Sequence, residues 1–160
     1  MFGIGRLFRR ATPSIRQMQT SDSIQAARLH GLSFARGWSE EEIGTLVLDR
    51  QVEANALVRG KGLDGFVLSR LAADEAEILT IAVDPAQRGA GLGRKLLSHH
   101  LARLAARGVK ALFLEVEDSN EAAKALYARA GFVEVGRRPA YYDKADGSRA
   151  EAVVLKRDLV

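Results

Sequence analysis

The chain has 160 residues, 47% of them hydrophobic and 28% charged, a balance typical of one globular domain and unlike that of a disordered chain. It contains no cysteine, which excludes disulfides, a thiolate nucleophile and a thiolate metal site, and which fits a reducing, cytoplasmic setting. The net charge of +4 is a modest excess that favours anionic ligands such as cofactor phosphates without requiring nucleic acid as a partner.

Residues 1–13 are predicted to form a flexible basic tail ahead of a single domain over residues 14–160. The tail arginines Arg6, Arg9 and Arg10 fit a solvated segment, with a lipid- or RNA-binding arm as the alternative. The tail lacks the apolar core of a signal peptide, and no later stretch reaches membrane-spanning length. We therefore expect no membrane partner.

Hydrophobic spacing predicts both strands and helices in the first half of the chain. In chain order these are a strand over 14–18, a helix over 24–32, a helix from about 39 to 49, and antiparallel strands over 55–59 and 65–71. The second helix carries a capping box, in which Ser39 is the cap and Glu42 completes it. Residues 60–65 are interpreted as the turn between the two antiparallel strands.

The second half begins with the most strand-like run of the chain, which ends at Asp84 and Pro85. The predicted elements are strands over 77–83 and 110–117, helices over 92–106 and 120–129, and strands over 133–136 and 151–159. Arg137 to Tyr142 are interpreted as part of a long functional loop between the last two strands. The whole pattern predicts an α/β protein with a mixed sheet covered by helices.

Alternate glycines stand between two arginines at the start of the helix over 92–106. Gly89, Gly91 and Gly93 would let backbone amides converge on a pyrophosphate, with Arg88 and Arg94 adding positive charge. An ordinary glycine-rich turn is the alternative. A phosphate-loop NTPase would need Ser or Thr where Lys95 follows Arg94, and a dinucleotide fingerprint would need its third glycine at Arg94.

Several motifs occur together in a fixed order. They are Ile81-Ala82-Val83-Asp84-Pro85, Arg88-x-x-Gly91-x-Gly93, Leu114-Glu115-Val116, Ser119-Asn120, Ala125-Leu126-Tyr127 and Ala130-Gly131-Phe132. This series resembles the Gcn5-related N-acetyltransferases from Ile15 onward. Within that family the chain looks most like the bacterial ribosomal-protein alanine N-acetyltransferases. The resemblance implies a mostly antiparallel sheet with a parallel strand pair at the cofactor site.

The resemblance also implies acetyl-coenzyme A as co-substrate and the α-amine of a protein N-terminus as acceptor. It assigns the pantetheine arm to main-chain groups of Ile81, Ala82 and Val83, and the oxyanion to a backbone amide near Ala82 or Val83. It assigns the general base to Glu115, the general acid to Tyr127 and a further cofactor contact to Asn120. The pyrophosphate would be bound by Arg88, Gly89, Ala90, Gly91, Leu92, Gly93 and Arg94.

The residues themselves agree with these two catalytic roles. Glu115 interrupts an apolar strand, where partial desolvation would favour its protonated form, unless it faces solvent or pairs with an arginine. Tyr127 shares a helix face with Asn120 about 10 Å away and could protonate a leaving thiolate, although a packed core aromatic is the alternative.

Aromatic residues supply the remaining site candidates. Trp38, Tyr141 and Tyr142 are predicted to line a slot for a peptide N-terminus, with a hydrophobic staple as the alternative for Trp38. The chain's histidines, His30, His99 and His100, lack ligand spacing, so we expect surface or helix-face positions and no metal.

Three functions remain open from the sequence. The first is N-terminal protein acetylation by direct attack of the amine, with a ribosomal protein that begins with alanine or serine as the leading substrate. The second is acetylation of a small amine such as a polyamine, an amino acid or an aminoglycoside, which would favour an acidic groove. The third is a non-catalytic acyl-coenzyme A-binding or ribosome-associated module. A monomer or weak dimer is expected.

Overall fold

A computed structural model of the protein describes residues 11–143 and 149–160, with side chains for residues 11–139 and 151–160. Its helices are α1 Ser23–Ser33, α2 Glu40–Leu48, α3 Leu92–Ala106 and α4 Glu121–Arg129. Its strands are β1 Ser14–Gln17, β2 Val52–Arg59, β3 Gly62–Ala72, β4 Glu75–Val83, β5 Ala111–Glu117, β6 Val133–Asp143 and β7 Arg149–Asp158. The predicted tail, Arg6, Arg9 and Arg10 included, lies outside the described residues apart from residues 11–13.

The described strands form one sheet in the order β1-β2-β3-β4-β5-β7-β6. Every neighbouring pair is antiparallel except β4 and β5, which are parallel. The predicted mixed sheet, with its parallel pair between the two halves of the chain, is therefore confirmed. None of the helices in the described part has both the length and the apolarity needed to cross a membrane.

Side chains that alternate along each strand build a separate core on each side of the sheet. On β3, Val67 and Leu71 join the cluster beneath α3 and α4, whereas Phe66 and Leu68 join the cluster beneath α1 and α2. We call these two sides the α3–α4 face and the α1–α2 face. This division decides from which side each functional residue approaches the middle of the sheet.

The capping box of α2 is present as predicted, since Ser39 Oγ accepts from the Glu42 amide and Glu42 accepts from the Ser39 amide. Gly131 follows α4 with φ of 88°, in the left-handed region that favours glycine. The predicted strands over 55–59 and 65–71 are too short, because pairing continues to Val52 and Gly62 and leaves a tight turn at Gly60 and Lys61.

The predicted loop at Arg137 to Tyr142 is wrong, because β6 continues through these residues to Asp143. The pairing of β6 with β7 has register shifts, one of them between Arg138 and Tyr142. This irregularity spans Pro139, which has no amide hydrogen to donate. Since β6 is an edge strand of the sheet, the missing donor is tolerated there.

Of the histidines expected at surface or helix-face positions, His30 lies on a buried face of α1 and His100 on a buried face of α3. His100 on α3 donates from Nδ1 to Asn55 Oδ1 at 2.5 Å, and its Nε2 accepts from Ser69 Oγ at 2.6 Å. Asn55 in turn donates to Glu53 at 2.9 Å. A ring whose nitrogens both have partners can replace an apolar side chain in a core. Burial lowers the pKa of His100 to about 3, so this imidazole is neutral.

Candidate active site

The parallel strands β4 and β5 separate toward their carboxyl ends. They pair only where Glu75 to Glu77 face Ala111 to Phe113. Directly after this point β4 has a bulge against β3, where the register shifts between Leu68 and Ser69. A bulge bends its strand and increases the local twist, which moves the rest of β4 away from β5. In the described structure the edge of β4 over residues 78–83 thus has no strand partner on the β5 side.

The segment after β4 turns sharply and opens α3. Gly89 and Gly91 have φ of 88° and 72°, a region that favours glycine. Gly91 is the N-cap of α3 and offers no side-chain cap, so the first amides of the helix have no local acceptor from it. A Cβ added at either glycine would meet nothing within 4 Å. Free helix amides beside open space form a favourable anion site.

Gly93 has a role in packing at the start of α3. It lies on the first turn of α3, where an added Cβ would be 3.7 Å from Val83 and 3.8 Å from Leu126. Its lack of a side chain brings α3 close to the end of β4 and to α4. The neighbouring Leu92 is buried in the core on the α3–α4 face. The loop therefore lies beside the predicted pantetheine strand and beside the helix that carries Tyr127.

The two arginines of the loop are exposed, as is Ala90 between the glycines. In the described part of the structure neither Arg88 nor Arg94 pairs with a carboxylate. Arg88 Nη2 lies 3.5 Å from Ser33 Oγ at the end of α1. Their positive charge is consequently available to a ligand at the start of α3, and Arg88 also links this loop to the first helix.

Glu115 lies on β5 and faces away from the α3–α4 core, because Leu114 and Val116 on either side of it belong to that core. Its side chain is 20% exposed and forms an ion pair with Arg138, with 2.9 Å between Oε1 and Nε. The arginine alternative that the sequence left open is therefore present at a partly buried site. Arg138 was missed as a partner because its segment was interpreted as a loop.

Tyr127 lies on the opposite side of the sheet, in the core on the α3–α4 face. Its ring packs edge-on against Phe132 with 5.6 Å between centroids. Burial raises the pKa of Tyr127 to about 12, so its hydroxyl keeps its proton at neutral pH. Among the described residues the hydroxyl has no hydrogen-bond partner. The residue is thus both a packed aromatic and a protonated donor.

Asn120 is the N-cap of α4, and its side-chain oxygen accepts from the Ala123 amide at 3.1 Å. The side chain is exposed at the end of the helix. Capping uses the amide oxygen of Asn120 and leaves its NH₂ group pointing outward for other contacts.

Trp38 lies on the α1–α2 face, where it packs against that core and precedes the cap of α2. Its ring stacks on His30 with 4.7 Å between centroids. A shallow cleft beside it is lined by Trp38, Ser39, Glu41, Glu42, Thr45 and Leu46. The other predicted aromatics of the slot, Tyr141 and Tyr142, have side chains outside the described ones. Within the described residues, no group of three or more His, Asp or Glu side chains is placed so that it could hold a metal ion.

The sequence that forms this site matches a known protein family. Residues 4–132 match the model of the acetyltransferase (GNAT) family. The chain is also 37% identical to the ribosomal protein bS18-alanine N-acetyltransferase of Escherichia coli K12 over 142 residues, covering 89% of this chain and 95% of that enzyme. The chain belongs to the acetyltransferase (GNAT) family. The predicted family and the predicted activity class, an N-acetyltransferase, are both confirmed.

Solved structures of relatives agree with the fold of this acetyltransferase. The crystal structure of the ribosomal-protein-S18-alanine N-acetyltransferase from Escherichia coli superposes with a TM-score of 0.86 at 34% identity, over 92% of this chain and 94% of that one. Ard1 from Thermoplasma volcanium superposes with a TM-score of 0.82 at 24% identity, over 92% and 98% of the two chains. The second likeness concerns the fold alone.

Proposed function

We propose that this acetyltransferase transfers an acetyl group from acetyl-coenzyme A to the N-terminal α-amine of a protein, with a ribosomal protein as the leading substrate. The observation that carries the proposal is the 37% identity, over nearly the full length of both chains, to an enzyme named for acetylating an alanine of ribosomal protein bS18. Residues of the opening between β4 and β5 support the same chemistry.

The donor half of the site fits coenzyme A. The uncapped start of α3 with Arg88 and Arg94 suits a pyrophosphate, because backbone amides and guanidinium groups bind phosphate oxygens strongly. The unpaired edge of β4 at Ile81, Ala82 and Val83 suits the amides of a pantetheine arm, which would extend the sheet as a strand does. An amide of the same edge would stabilise the oxyanion.

The reaction forms a C–N bond and breaks the C–S bond of the thioester. At neutral pH most amines are protonated, so a proton must first leave the ammonium, and the Glu115 carboxylate would accept it directly or through a water molecule. The amine then attacks the thioester carbon, and the departing thiolate would take its proton from the Tyr127 hydroxyl. The acetylated nitrogen would release its remaining extra proton to water, and water would return a proton to the Tyr127 oxygen. Burial raises the pKa of Tyr127 to about 12, so the hydroxyl holds a proton when the thiolate departs.

The proposed base must be reached from the acceptor side and the proposed acid from the donor side. The positions of Glu115 and Tyr127 on opposite faces of the sheet support this arrangement. Glu115 lies on the same face as Trp38, whereas Tyr127 lies on the face that carries the coenzyme loop. We therefore assign the acceptor to the α1–α2 face and the donor to the α3–α4 face, with the two meeting in the opening between β4 and β5. Trp38, Tyr141 and Tyr142 would line the acceptor side.

Acetylation of a polyamine is a second candidate, favoured by one observation. The cleft beside Trp38 carries the carboxylates of Glu41 and Glu42, and the first turn of α2 adds that of Glu40. Carboxylates beside an acceptor site favour cationic substrates. Glu42 is partly occupied, because it accepts from the Ser39 amide. The same carboxylates would also attract a basic side chain of a peptide substrate. The two candidates are therefore distinguished by testing which acceptor is acetylated.

Release of free thiol from acetyl-coenzyme A tests both candidates in one assay. The acceptors are short peptides that begin Ala-Arg or Ser-Arg, the same peptides with an acetylated N-terminus, spermidine, and a lysine-containing peptide with a blocked N-terminus. Release that requires a free peptide N-terminus supports the proposal. Release with spermidine alone would move the function to small amines, and coenzyme binding without any release would indicate a non-catalytic module.

A further inference from the structure

The imidazole of His30 is the centre of an aromatic stack that the proposed reaction does not use. Its ring lies between Phe34, with centroids 4.3 Å apart and planes at 24°, and Trp38, with centroids 4.7 Å apart and planes at 17°. His30 Nδ1 accepts a hydrogen bond from the Trp38 main-chain N–H at 3.0 Å. The side chain is buried, with 3% of the residue exposed. Nδ1 therefore carries a lone pair, and the ring is neutral.

These contacts fold the connection between α1 and α2, residues 34–38, back onto α1. The close approach of Gly37 to Gly31 adds to them, because a Cβ at Gly37 would lie only 3.1 Å from the Gly31 Cα. The same five residues are held against α1 by ring stacking, by one hydrogen bond to the main chain and by this glycine contact. Trp38 is the last of them, so its position depends directly on His30.

His30 is also connected to the strand that is proposed to bind the donor. Its ring lies 6.4 Å from that of Phe66, measured between centroids, and Phe66 pairs with Ala82 on β4. One turn later on α1, Ser33 lies 3.5 Å from Arg88 of the coenzyme loop. The helix whose His30 contacts Trp38 thus lies against β3, next to the coenzyme strand, and also contacts the coenzyme loop.

We infer that His30 is a positioning residue for the acceptor, which holds Trp38 as a fixed wall on the α1–α2 face through the Nδ1 hydrogen bond and the ring stack. The inference rests on the proposed function, because it takes Trp38 as a wall of the acceptor slot. His30 touches neither the donor nor the reacting atoms. A rigid wall lowers the ordering cost of binding the acceptor, and losing it weakens acceptor binding while leaving donor binding unchanged.

Two substitutions separate the two contacts. His30→Phe keeps a ring for stacking but removes the acceptor of the Trp38 hydrogen bond, whereas His30→Asn places an amide oxygen near the Nδ1 position but removes the ring. His99→Asn, on the half-exposed histidine of α3, is the matched control. Trp38 is the only tryptophan of the chain, so its fluorescence reports the wall without any catalysis.

With His30→Phe we expect the KM for the acceptor to rise about three- to tenfold, the range of one lost hydrogen bond, and the KM for acetyl-coenzyme A to stay within about twofold. The Trp38 emission should shift to the red. His30→Asn should recover part of the acceptor KM, and His99→Asn should behave as wild type. An unchanged acceptor KM in His30→Phe, or an equal rise of both KM values, would overturn the inference.

Two further readouts keep the test decisive. If His30→Phe does not fold by circular dichroism, Gly37→Ala displaces the same connection at its Gly31 contact, and the same split between the two KM values is required. If the wild type acetylates spermidine but no peptide, the proposed function fails, and the acceptor KM is then measured with spermidine. If the enzyme is active but the variant has an unchanged acceptor KM, the positioning role of His30 is refuted and the proposed function is not.

Discussion

Glu115 and Arg138 reach each other across β7, the strand that lies between β5 and β6, and their ion pair measures 2.9 Å. The pair lies on the face of the sheet that also carries Trp38. A guanidinium with a fixed direction holds a carboxylate in one orientation, which is useful for a group that must meet an incoming amine. The proposed base is therefore oriented by a charge, in addition to being partly shielded from water.

Glu115→Gln removes the proposed base and keeps the size of the side chain. We expect kcat to fall about 10²- to 10⁴-fold, the usual contribution of a general base, with the KM for acetyl-coenzyme A little changed. Glu117→Gln is the matched control, because it makes the same change two residues along the same face of β5. Steady-state thiol release measures both. Equal losses in the two variants would count against a specific role for Glu115.

Tyr127→Phe removes one hydroxyl and keeps the ring that packs against Phe132. Because that hydroxyl makes no hydrogen bond within the described residues, the midpoint of thermal unfolding should change little. Loss of a general acid should lower kcat about 10²- to 10⁴-fold. A variant that unfolds earlier yet retains full kcat would make Tyr127 a packing residue only.

Gly91→Ala tests the coenzyme loop with little steric interference. The residue has φ of 72° and open space around it, so the substitution costs about 1 kcal/mol of backbone strain and brings a methyl group toward the proposed pyrophosphate. Gly108→Ala, at φ of 87° just beyond the other end of α3, carries a similar strain far from the loop. We expect the two variants to lower the midpoint of thermal unfolding by similar amounts. Calorimetry should show weaker coenzyme A binding only in Gly91→Ala.

Arg94→Gln should raise the KM for acetyl-coenzyme A about ten- to a hundredfold, because a charged hydrogen bond to phosphate contributes about 1.5 to 3 kcal/mol. Acetyl-pantetheine lacks the pyrophosphate, so its KM should not change. Lys95→Gln, the next exposed cation on α3, is the control. A rise with both donors would mean that Arg94 acts on the fold of the loop and not on the phosphates.

His100 should make the fold sensitive to acid. Its pKa is about 3 in the folded protein and about 6.5 in the unfolded chain, so between these values the unfolded chain binds more protons. Stability is fully present above pH 6.5 and is lost toward pH 3, at about 1.4 kcal/mol per pH unit. Urea unfolding at pH 7.5 and 5.5 measures this loss. It should be smaller in His100→Gln, and an identical loss would assign the acid sensitivity to other groups.

Local patterns in the sequence predicted the elements that depend on neighbouring residues. The capping box of Ser39 and Glu42 relies on contacts within a few residues, and it is found as predicted. The length of β6 was predicted wrongly, because a strand with an irregular edge depends on pairing with β7 and not on its own alternation. The Arg138 partner of Glu115 was missed for the same reason.

The buried histidine on α3 illustrates a second limit. Position 100 lies between the buried Leu97 and Leu104 of α3, so helical spacing alone places it inward. Its polar residue type left a surface position equally open. Its partners, Asn55 and Ser69, lie on β2 and β3, and a sequence does not reveal which polar groups three separate elements bring together.

The separation of β4 from β5 after Glu77 also bears on how products leave. With donor and acceptor assigned to opposite faces, coenzyme A and the acetylated amine would depart through different exits, and neither would have to wait for the other. Product inhibition then has a defined pattern, in which coenzyme A competes with acetyl-coenzyme A but not with the amine. The single bulge in β4 would in this way provide a separate exit for each of the two products.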